Sequence, residues 1–303
     1  MIDKFSKNIN KISVILFLLI LLISLYSINI LNSNYKENES IHSIDNALLL
    51  TKNLLEEEQW HALSLSILLS QDKEFLKAFY NKNRQSAFDI INEKIKTLKN
   101  FQNYNFEVQV HDENINTYLR NWDFNITNVP LSSFREGLVL ARKRKKPLVS
   151  IENGKRLNIK AISPILKDGK FIGSIEVIEG FEHLRKRLLE HGYILFVLLD
   201  KDYYNSASPL LPYQDIQNKF VLVNESYENN SYNALKNAKL SELKNYGYFT
   251  QDKFYFGYFE IKNFSNKKLG YCVVALQNTN PIYIQNHYKY KVIQNNSSKV
   301  IIR

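Results

Sequence analysis

The sequence predicts an α+β protein with an N-terminal transmembrane helix, a long stalk helix and two sheet-containing modules. Three observations lead to this prediction. Residues 12–31 form an uncharged apolar run, residues 36–70 lack Gly and Pro and repeat apolar residues at helical spacing, and residues 105–112 alternate with period two. The length of 303 residues suits about two domains.

The apolar run 12–31 predicts an uncleaved membrane anchor. About 20 residues at about 1.5 Å rise span the hydrocarbon core of a bilayer. Lys4, Lys7 and Lys11 precede the run, so the positive-inside rule places the N-terminus in the cytoplasm and the rest outside it. The alternative is a cleaved signal peptide, whose apolar region is about 7–15 residues and ends in a small-x-small site. The run is longer, and its end, Ser-Ile-Asn-Ile-Leu-Asn, lacks such a site.

The stalk helix carries an apolar stripe with three-, four- and seven-residue steps. Its members are Ile41, Ile44, Leu48, Leu55, Ala62, Leu65 and Leu69. The first three have no evident partner within the chain and are expected to expose apolar surface in a monomer. This predicts a parallel homodimer through the stalk.

The region 104–190 predicts a five-stranded antiparallel sheet with a crossing helix. Asn153-Gly154 and Asp168-Gly169 are turn signals between strands. The order of helix, two strands, crossing helix and three strands matches a PAS-like sandwich, with one sheet face on helices and the other over a cavity. The predicted strands are 105–112, 115–122, 147–154, 156–168 and 170–180, and the crossing helix is 132–146.

The pattern partly repeats in a second module. Strands are predicted at 193–203, 254–261 and 268–277, with a helix at 233–244. Together the patterns divide the chain into a cytoplasmic N-terminus (1–11), a transmembrane helix (12–32), a helical stalk (33–103), a first module (104–190), a second module (191–285) and a polar tail (286–303).

Four segments carry a family resemblance, namely QVHDENINTYLRNWDFN, the AISPI strand, the DGK hairpin and the GSIE strand. They resemble the double Cache sensor module of bacterial methyl-accepting chemotaxis receptors and sensor kinases. The resemblance implies a membrane-distal module at 104–190, a membrane-proximal one at 191–285, and a periplasmic domain, anchored in the bacterial inner membrane, that senses a small organic ligand and signals as a dimer. Such receptors continue into a second membrane helix and a signalling region, and this chain is expected to lack both.

Two functional hypotheses follow. The first is the sensor domain of a chemotaxis or signal-transduction receptor, here without its output. The alternative is an output-less interaction protein that pairs with intact receptors and modulates them.

The predicted ligand site centres on the second strand. Tyr118, Arg120 and Trp122 alternate onto one face, where the Arg fork and the aromatic walls suit a carboxylate or an amino-acid-like molecule. The structural alternative is an exposed Arg with Trp in the core. His111, Lys160 and Glu176 lie on other strands of the same sheet, and form either supporting ligand contacts or an internal ion-pair network.

Other chemistry finds little support. The sequence contains neither HExxH nor GxSxG, so no enzyme, catalytic residue, metal or cofactor is expected. Cys272 lies in an apolar run and is expected to be inert. The basic run 142–146 has no interleaved aromatic residues, and no nucleic-acid partner is expected. Residues 123–127 fit the extended bacterial N-glycosylation pattern, in which an acidic residue lies two positions before Asn, although such a match also arises by chance.

Overall fold

A computed structural model describes residues 2–102, 105–154, 156–204 and 214–277. The predicted polar tail lies outside these residues. Helix α1 (Ile2–Ser70) contains both the predicted anchor and the first part of the stalk, since no Gly or Pro interrupts it. Its segment Ile15–Asn32 is long and apolar enough to cross a membrane, and none of this segment is buried. The chain divides into two compact units, Met1–Asn46 and Ala47–Arg303.

The apolar stripe of α1 is the buried side of the helix. Leu55, Ala62, Leu65 and Leu69 are all less than a tenth exposed. Ile44 and Leu48 are each 1% exposed, so the prediction that this half exposes apolar surface in a monomer is wrong. The buried members of the stripe therefore give no argument for a dimer, and Ile41 is half-buried.

Two further helices lead to the first module. Helix α2 (Lys73–Tyr80) begins after Asp72, whose carboxylate accepts a hydrogen bond from the Phe75 N–H at 2.9 Å and caps the helix. Helix α3 (Arg84–Gln102) follows, and its Lys94 pairs with the Asp72 carboxylate at 2.7 Å.

The first module has the predicted five-stranded antiparallel sheet, in the order β2-β1-β5-β4-β3. Its elements are β1 (Phe106–Asp112), β2 (Thr117–Arg120), α4 (Glu136–Arg144), β3 (Leu148–Asn153), β4 (Leu157–Lys167), β5 (Lys170–Glu179) and α5 (Glu182–Glu190). Asp168 and Gly169 both have positive φ, as the hairpin turn between β4 and β5 requires.

The two faces of this sheet have different neighbours. On the outer face, Ser66 of α1 contacts Ser163 of β4 through their hydroxyls at 2.8 Å. On the inner face, Leu138 and Ala141 of α4 pack with Leu148 and Ile162 of the sheet. The inner face is therefore enclosed by the crossing helix, which makes it the place where buried side chains can form a site.

The second module is a six-stranded antiparallel sheet in the order β7-β8-β6-β11-β10-β9. Its elements are β6 (Ile194–Asp200), β7 (Gln214–Ile216), β8 (Phe220–Leu222), α6 (Asn229–Asn237), β9 (Tyr246–Gln251), β10 (Phe254–Lys262) and β11 (Lys268–Gln277). Its core is aromatic, with Phe196, Phe256 and Tyr258 almost fully buried. Cys272 is 1% exposed in β11, and burial raises the pKa of its thiol, which is consistent with an inert residue.

Candidate functional site

Polar side chains gather on the inner face of the first sheet. In the register of the strands, Gln109 lies opposite Arg120 on one side and opposite Glu176 on the other, and Lys160 lies opposite Ser150. Residues directly opposite on neighbouring strands project to the same face. The resulting polar cluster consists of Gln109, His111, Thr117, Arg120, Ser150, Glu152, Lys160, Ser174 and Glu176 from the sheet and Arg135 from the segment before α4, all at most 7% exposed.

Arg135 is the centre of the polar cluster, and the sequence analysis missed it. Its guanidinium donates two hydrogen bonds to Glu176, one of them from Nη1 to Oε2 at 3.3 Å. Its Nε lies 3.6 Å from Oε2 of Glu152, whose other oxygen accepts a hydrogen bond from Ser150 at 2.9 Å. Burial would raise the pKa of Glu176, but the Arg135 charge outweighs it and holds that pKa below its usual value.

A close approach of α4 to β3 holds Arg135 over the sheet. A Cβ on Gly137 would overlap the Glu152 carboxylate and lie 3.0 Å from the Ile162 side chain. Only glycine allows α4 to lie this close to the cluster. The sequence analysis placed Arg135 inside the predicted crossing helix 132–146, whereas α4 begins at Glu136, so helical periodicity gave no signal for its position over the sheet.

His111 is neutral at the centre of the sheet. It is fully buried, and burial lowers its pKa to about 4. Its Nδ1 lies 3.1 Å from the Ser174 hydroxyl, and Nε2 lies 3.8 Å from a Glu176 oxygen. Within the described residues Nε2 has no hydrogen-bond partner.

Lys160 is a buried amine with a lowered pKa. It is 3% exposed, and burial lowers its pKa to about 8, although Glu176 and Glu152 oppose that shift. Among the described residues, no carboxylate lies within 4.0 Å of its Nζ. Lys160 therefore remains mostly charged at pH 7 without a direct ion-pair partner.

The predicted trio on β2 is divided by a bulge. Thr117 pairs with His111 and Leu119 pairs with Val110, so Tyr118 is an extra residue without a partner. This shift places Arg120 on the inner face while the Tyr118 ring packs on Phe79 of α2, with centroids 5.0 Å apart. Alternation through an unbroken strand would have kept Tyr118 and Arg120 together.

Arg120 retains one predicted neighbour and has unused donors. Its guanidinium lies 5.7 Å from the centre of the Trp122 ring. Trp122 follows the end of β2 and is 40% exposed, so it is not part of the core. The Arg120 Nε has no hydrogen-bond partner within the described residues, and burial lowers the pKa of the group.

The charges of the polar cluster do not cancel. Arg120, Arg135 and Lys160 carry positive charge at pH 7, against the carboxylates of Glu152 and Glu176. With His111 neutral, the side chains of the polar cluster sum to one positive charge, while Asp123 and Glu107 outside the cluster also act on Arg120. An anion can compensate it, and Arg120 is placed to donate to one.

A cavity of about 270 Å³ opens at one end of the inner face. The cavity lies between the two modules, and Glu107 and Ile178 of the first sheet line it. These two residues lie opposite each other on neighbouring strands, and Ile178 lies opposite Lys160 on the next strand. Arg156 in its wall pairs with Glu107 at 2.8 Å. The cavity thus adjoins the strand positions of the polar cluster.

Strand β5 connects the polar cluster with α1. Glu176 lies in the cluster, and Glu179 at the end of the same strand lies 3.3 Å from His61 of α1. Glu58 of α1 is 4% exposed and accepts hydrogen bonds from His183 and Arg187 of α5 at 2.8 and 3.1 Å. Side-chain contacts therefore link α1 to β5, which also carries Glu176 of the polar cluster, and to α5.

The chain contains two PAS-like antiparallel sheets, and the first of them has an enclosed polar face. A protein-family model described as the double sensory domain of two-component sensor kinases matches residues 37–279. The chain belongs to this double Cache family, whose members are ligand-binding sensory modules.

Solved structures of sensor domains are among those to which the chain is similar. The extracellular domain of a protein described as a histidine kinase is 16% identical, with 80% of this chain and 92% of that one covered and a TM-score of 0.48. The sensor domain of the Vibrio cholerae histidine kinase DctB is 13% identical, with coverages of 77% and 95% and a TM-score of 0.43. The ligand-binding domain of the Campylobacter jejuni chemoreceptor Tlp3 with L-norvaline is 15% identical, with coverages of 82% and 96% and a TM-score of 0.43. No curated protein matches the chain.

Proposed function

We propose that this chain is the membrane-anchored, extracytoplasmic sensory part of a signal-transduction receptor, and that it binds a small carboxylate-bearing molecule at the polar cluster. The observation that carries the proposal is the uncompensated positive charge among buried side chains on the inner face. Buried charged groups are costly unless they are paired, so a cluster with an excess charge suits a ligand of opposite sign.

The competing interpretation is a purely structural ion-pair network. The Arg135 contacts with Glu176 and Glu152 favour it for that part of the cluster. Arg120 and Lys160 stand apart, because neither forms an ion pair with a carboxylate of the described residues. We therefore assign Arg120 and Lys160 to the ligand, with His111 and Glu176 as neighbours, Trp122 as a wall beside Arg120, and Tyr118 as a support of the bulge.

A ligand-binding screen of the full chain in detergent tests this assignment. Organic acids and amino acids are added one at a time, and the Tm of the chain is measured by thermal unfolding. A ligand at a hundredfold excess over Kd stabilises the native state by about 2.7 kcal/mol. Arg120→Ala should abolish most of that shift, whereas Arg142→Ala on the exposed side of α4 should preserve it. Equal shifts in both variants would remove Arg120 from the site.

Proton uptake provides a second test of the same site. A bound carboxylate near Lys160 should raise the pKa of its amine from about 8 toward the ordinary value. Binding at pH 8 should then take up about half a proton, measured by calorimetry in buffers of different ionisation enthalpy. Lys160→Met should bind without that uptake. Wild-type binding without proton uptake would place the ligand away from Lys160.

The anchor proposal rests on the exposed apolar segment of α1 and the lysines that precede it. A reporter active only outside the cytoplasm, fused after residue 285, should be active. An inactive reporter, or a mature N-terminus beginning after residue 31, would contradict a single-pass anchor with this orientation.

A parallel homodimer is part of the proposal, but through another side of α1. Leu49, Trp60 and Leu68 are 59%, 41% and 67% exposed. Leu49 and Trp60 lie three helical turns apart on one side, since 11 residues at about 100° each return to nearly the same direction. Large apolar side chains in water along one side of a helix suit a partner helix.

Cysteine cross-linking distinguishes this face from the buried stripe. Leu49→Cys should form an interchain disulfide under mild oxidation, whereas the buried Leu48→Cys should not. Cys272 can remain, because its thiol is buried. A Leu49→Cys chain that stays uncross-linked and monomeric by light scattering would contradict the dimer.

A further inference from the structure

Seven Asn-X-Ser/Thr triplets occur in the sequence, and five of them lie within the described residues. Such triplets are acceptors of N-linked sugars in exported proteins, provided that the Asn side chain is accessible. The five begin at Asn38, Asn125, Asn224, Asn229 and Asn263. Their structural surroundings differ enough to decide which of them is available.

Four of the five are constrained by secondary structure or by hydrogen bonds. Asn38 lies inside α1, and Asn229 begins α6, in which the hydroxyl-bearing Ser231 is fully buried. The Asn224 amide accepts from the Val197 N–H at 2.7 Å and donates to the Leu195 carbonyl at 2.8 Å.

Asn263 is engaged in a similar way. Its Oδ1 accepts from the Lys267 N–H at 2.8 Å, and its Nδ2 donates to Glu136 at 3.5 Å. Modification at any of these four positions would require the loss of helix geometry or of existing hydrogen bonds.

Asn125 is held neither by secondary structure nor by side-chain hydrogen bonds of its amide group within the described residues. It lies in the irregular segment between β2 and α4, its side chain is exposed, and Thr127 is exposed as well. Within the described residues the Asn125 amide group makes no side-chain hydrogen bond; only its backbone N–H is engaged, donating to Oδ1 of Asp123 at 3.0 Å. Asp123 is the acidic residue two positions before Asn, and none of the other six triplets has an acidic residue there.

The base of the Asn125 segment is nevertheless held in place. The Phe124 ring packs edge-on against Phe88 of α3 at 4.9 Å, and the Arg84 guanidinium lies 4.0 Å from its centre. Arg84 also donates to the Phe124 and Ile126 carbonyls. With Phe124 turned toward the helices, the Asn125 side chain points to solvent.

We infer that Asn125 is an N-glycosylation site, modified outside the cytoplasm by a bacterial oligosaccharyltransferase. This inference rests on the proposed export of the chain. The donor is a polyprenyl-pyrophosphate-linked oligosaccharide. The Asn125 Nδ2 attacks the anomeric carbon, a C–N bond forms, the C–O bond to pyrophosphate breaks, polyprenyl pyrophosphate leaves with the bonding electrons, and Nδ2 loses one proton to the enzyme's base.

The test uses the full chain, made in a bacterium that has a periplasmic oligosaccharyltransferase and its lipid-linked donor. Trypsin cleaves after Arg120 and Arg135, so Asn125 lies in the peptide 121–135. Mass spectrometry should find this peptide heavier by the mass of the oligosaccharide. Asn125→Gln and Thr127→Val should each abolish the added mass, and Asp123→Ala should reduce occupancy at least tenfold.

A matched control and a topology readout complete the design. Asn263→Gln, which removes a hydrogen-bonded triplet, should leave the modification of peptide 121–135 unchanged. The reporter fused after residue 285 is read in the same cells. An active reporter with an unmodified peptide, or sugar on Asn224 or Asn263 instead, overturns the inference and leaves the sensor proposal intact. An inactive reporter overturns both.

Discussion

Arg135→Met should destabilise the protein more than any surface change, because it removes the cation at the centre of the polar cluster. Met keeps the apolar stem, so the loss is mainly that of the guanidinium. Glu176 is fully buried and Glu152 is 6% exposed, and both lose their Arg135 contacts. Removal of one partner from a buried ion pair costs about 3–5 kcal/mol.

The measurement is unfolding of the full chain in detergent, by urea at pH 7 and by heat. For a folded unit of this size, about 3–5 kcal/mol corresponds to a fall in Tm of roughly 6–20 °C. Arg142→Met on the exposed side of α4 is the matched control and should change the free energy of unfolding by less than about 0.5 kcal/mol. The double variant Arg135→Met with Glu176→Gln should regain part of the loss, since no charged carboxylate remains at position 176.

The pH dependence identifies the cause of the loss. In the wild type the folded-state pKa of Glu176 is below its ordinary value, so its contribution is present above the unfolded pKa of about 4.5 and is lost as the pH falls through the folded value. In Arg135→Met the buried carboxyl should instead have a raised pKa and take up a proton on acidification. The difference in the free energy of unfolding between wild type and Arg135→Met should therefore be large at pH 7 and shrink toward pH 4. A variant within about 1 kcal/mol of wild type at pH 7 would refute the central role of Arg135.

Three further perturbations test the cluster and its enclosure. Lys160→Met should raise the free energy of unfolding at pH 7 by up to about 3 kcal/mol, because the folded-state pKa of Lys160, about 8, lies below the ordinary 10.5. Urea titrations should show this gain in stability disappear as the pH rises from 8 to 10.5. His111→Gln should lack the wild-type loss of stability between pH 6.5 and 4, where the unfolded histidine binds a proton that the buried one does not; identical acid profiles would contradict this. Gly137→Ala should lower the Tm because its Cβ meets the Glu152 carboxylate, whereas Gly180→Ala, with nothing within 4 Å, should not.

The arrangement around β5 gives the proposed sensor a short path to the stalk. Glu176 faces Arg135, and Glu179 three residues later faces His61 of α1. A ligand that draws Arg135 or Arg120 toward itself would alter the contacts of Glu176. Because Glu176 and Glu179 belong to one continuous strand, we expect such a change to alter the contact of Glu179 with His61 as well.

The sequence alone determined much of the fold. The apolar N-terminal run, the Gly- and Pro-free helix up to Ser70 and the succession of strands along the chain in the first module follow from hydrophobic periodicity, which is a local property. The turn at Asp168 and Gly169 follows from backbone preferences of single residues. His111, Lys160 and Glu176 were singled out because polar residues at inward positions of alternating strands are unusual, and all three lie in the polar cluster.

The tertiary structure decided the rest of the site, because it depends on contacts between residues distant in sequence. Arg135 belongs to an irregular segment, and only the packing of α4 over the sheet brings it to Glu176, 41 residues away. The bulge at Tyr118 reverses the alternation on which the predicted trio depended. The helical stripe from Ile44 to Leu69 revealed an apolar side of α1, but periodicity cannot distinguish an apolar side that packs within its own chain from one that pairs with a second copy.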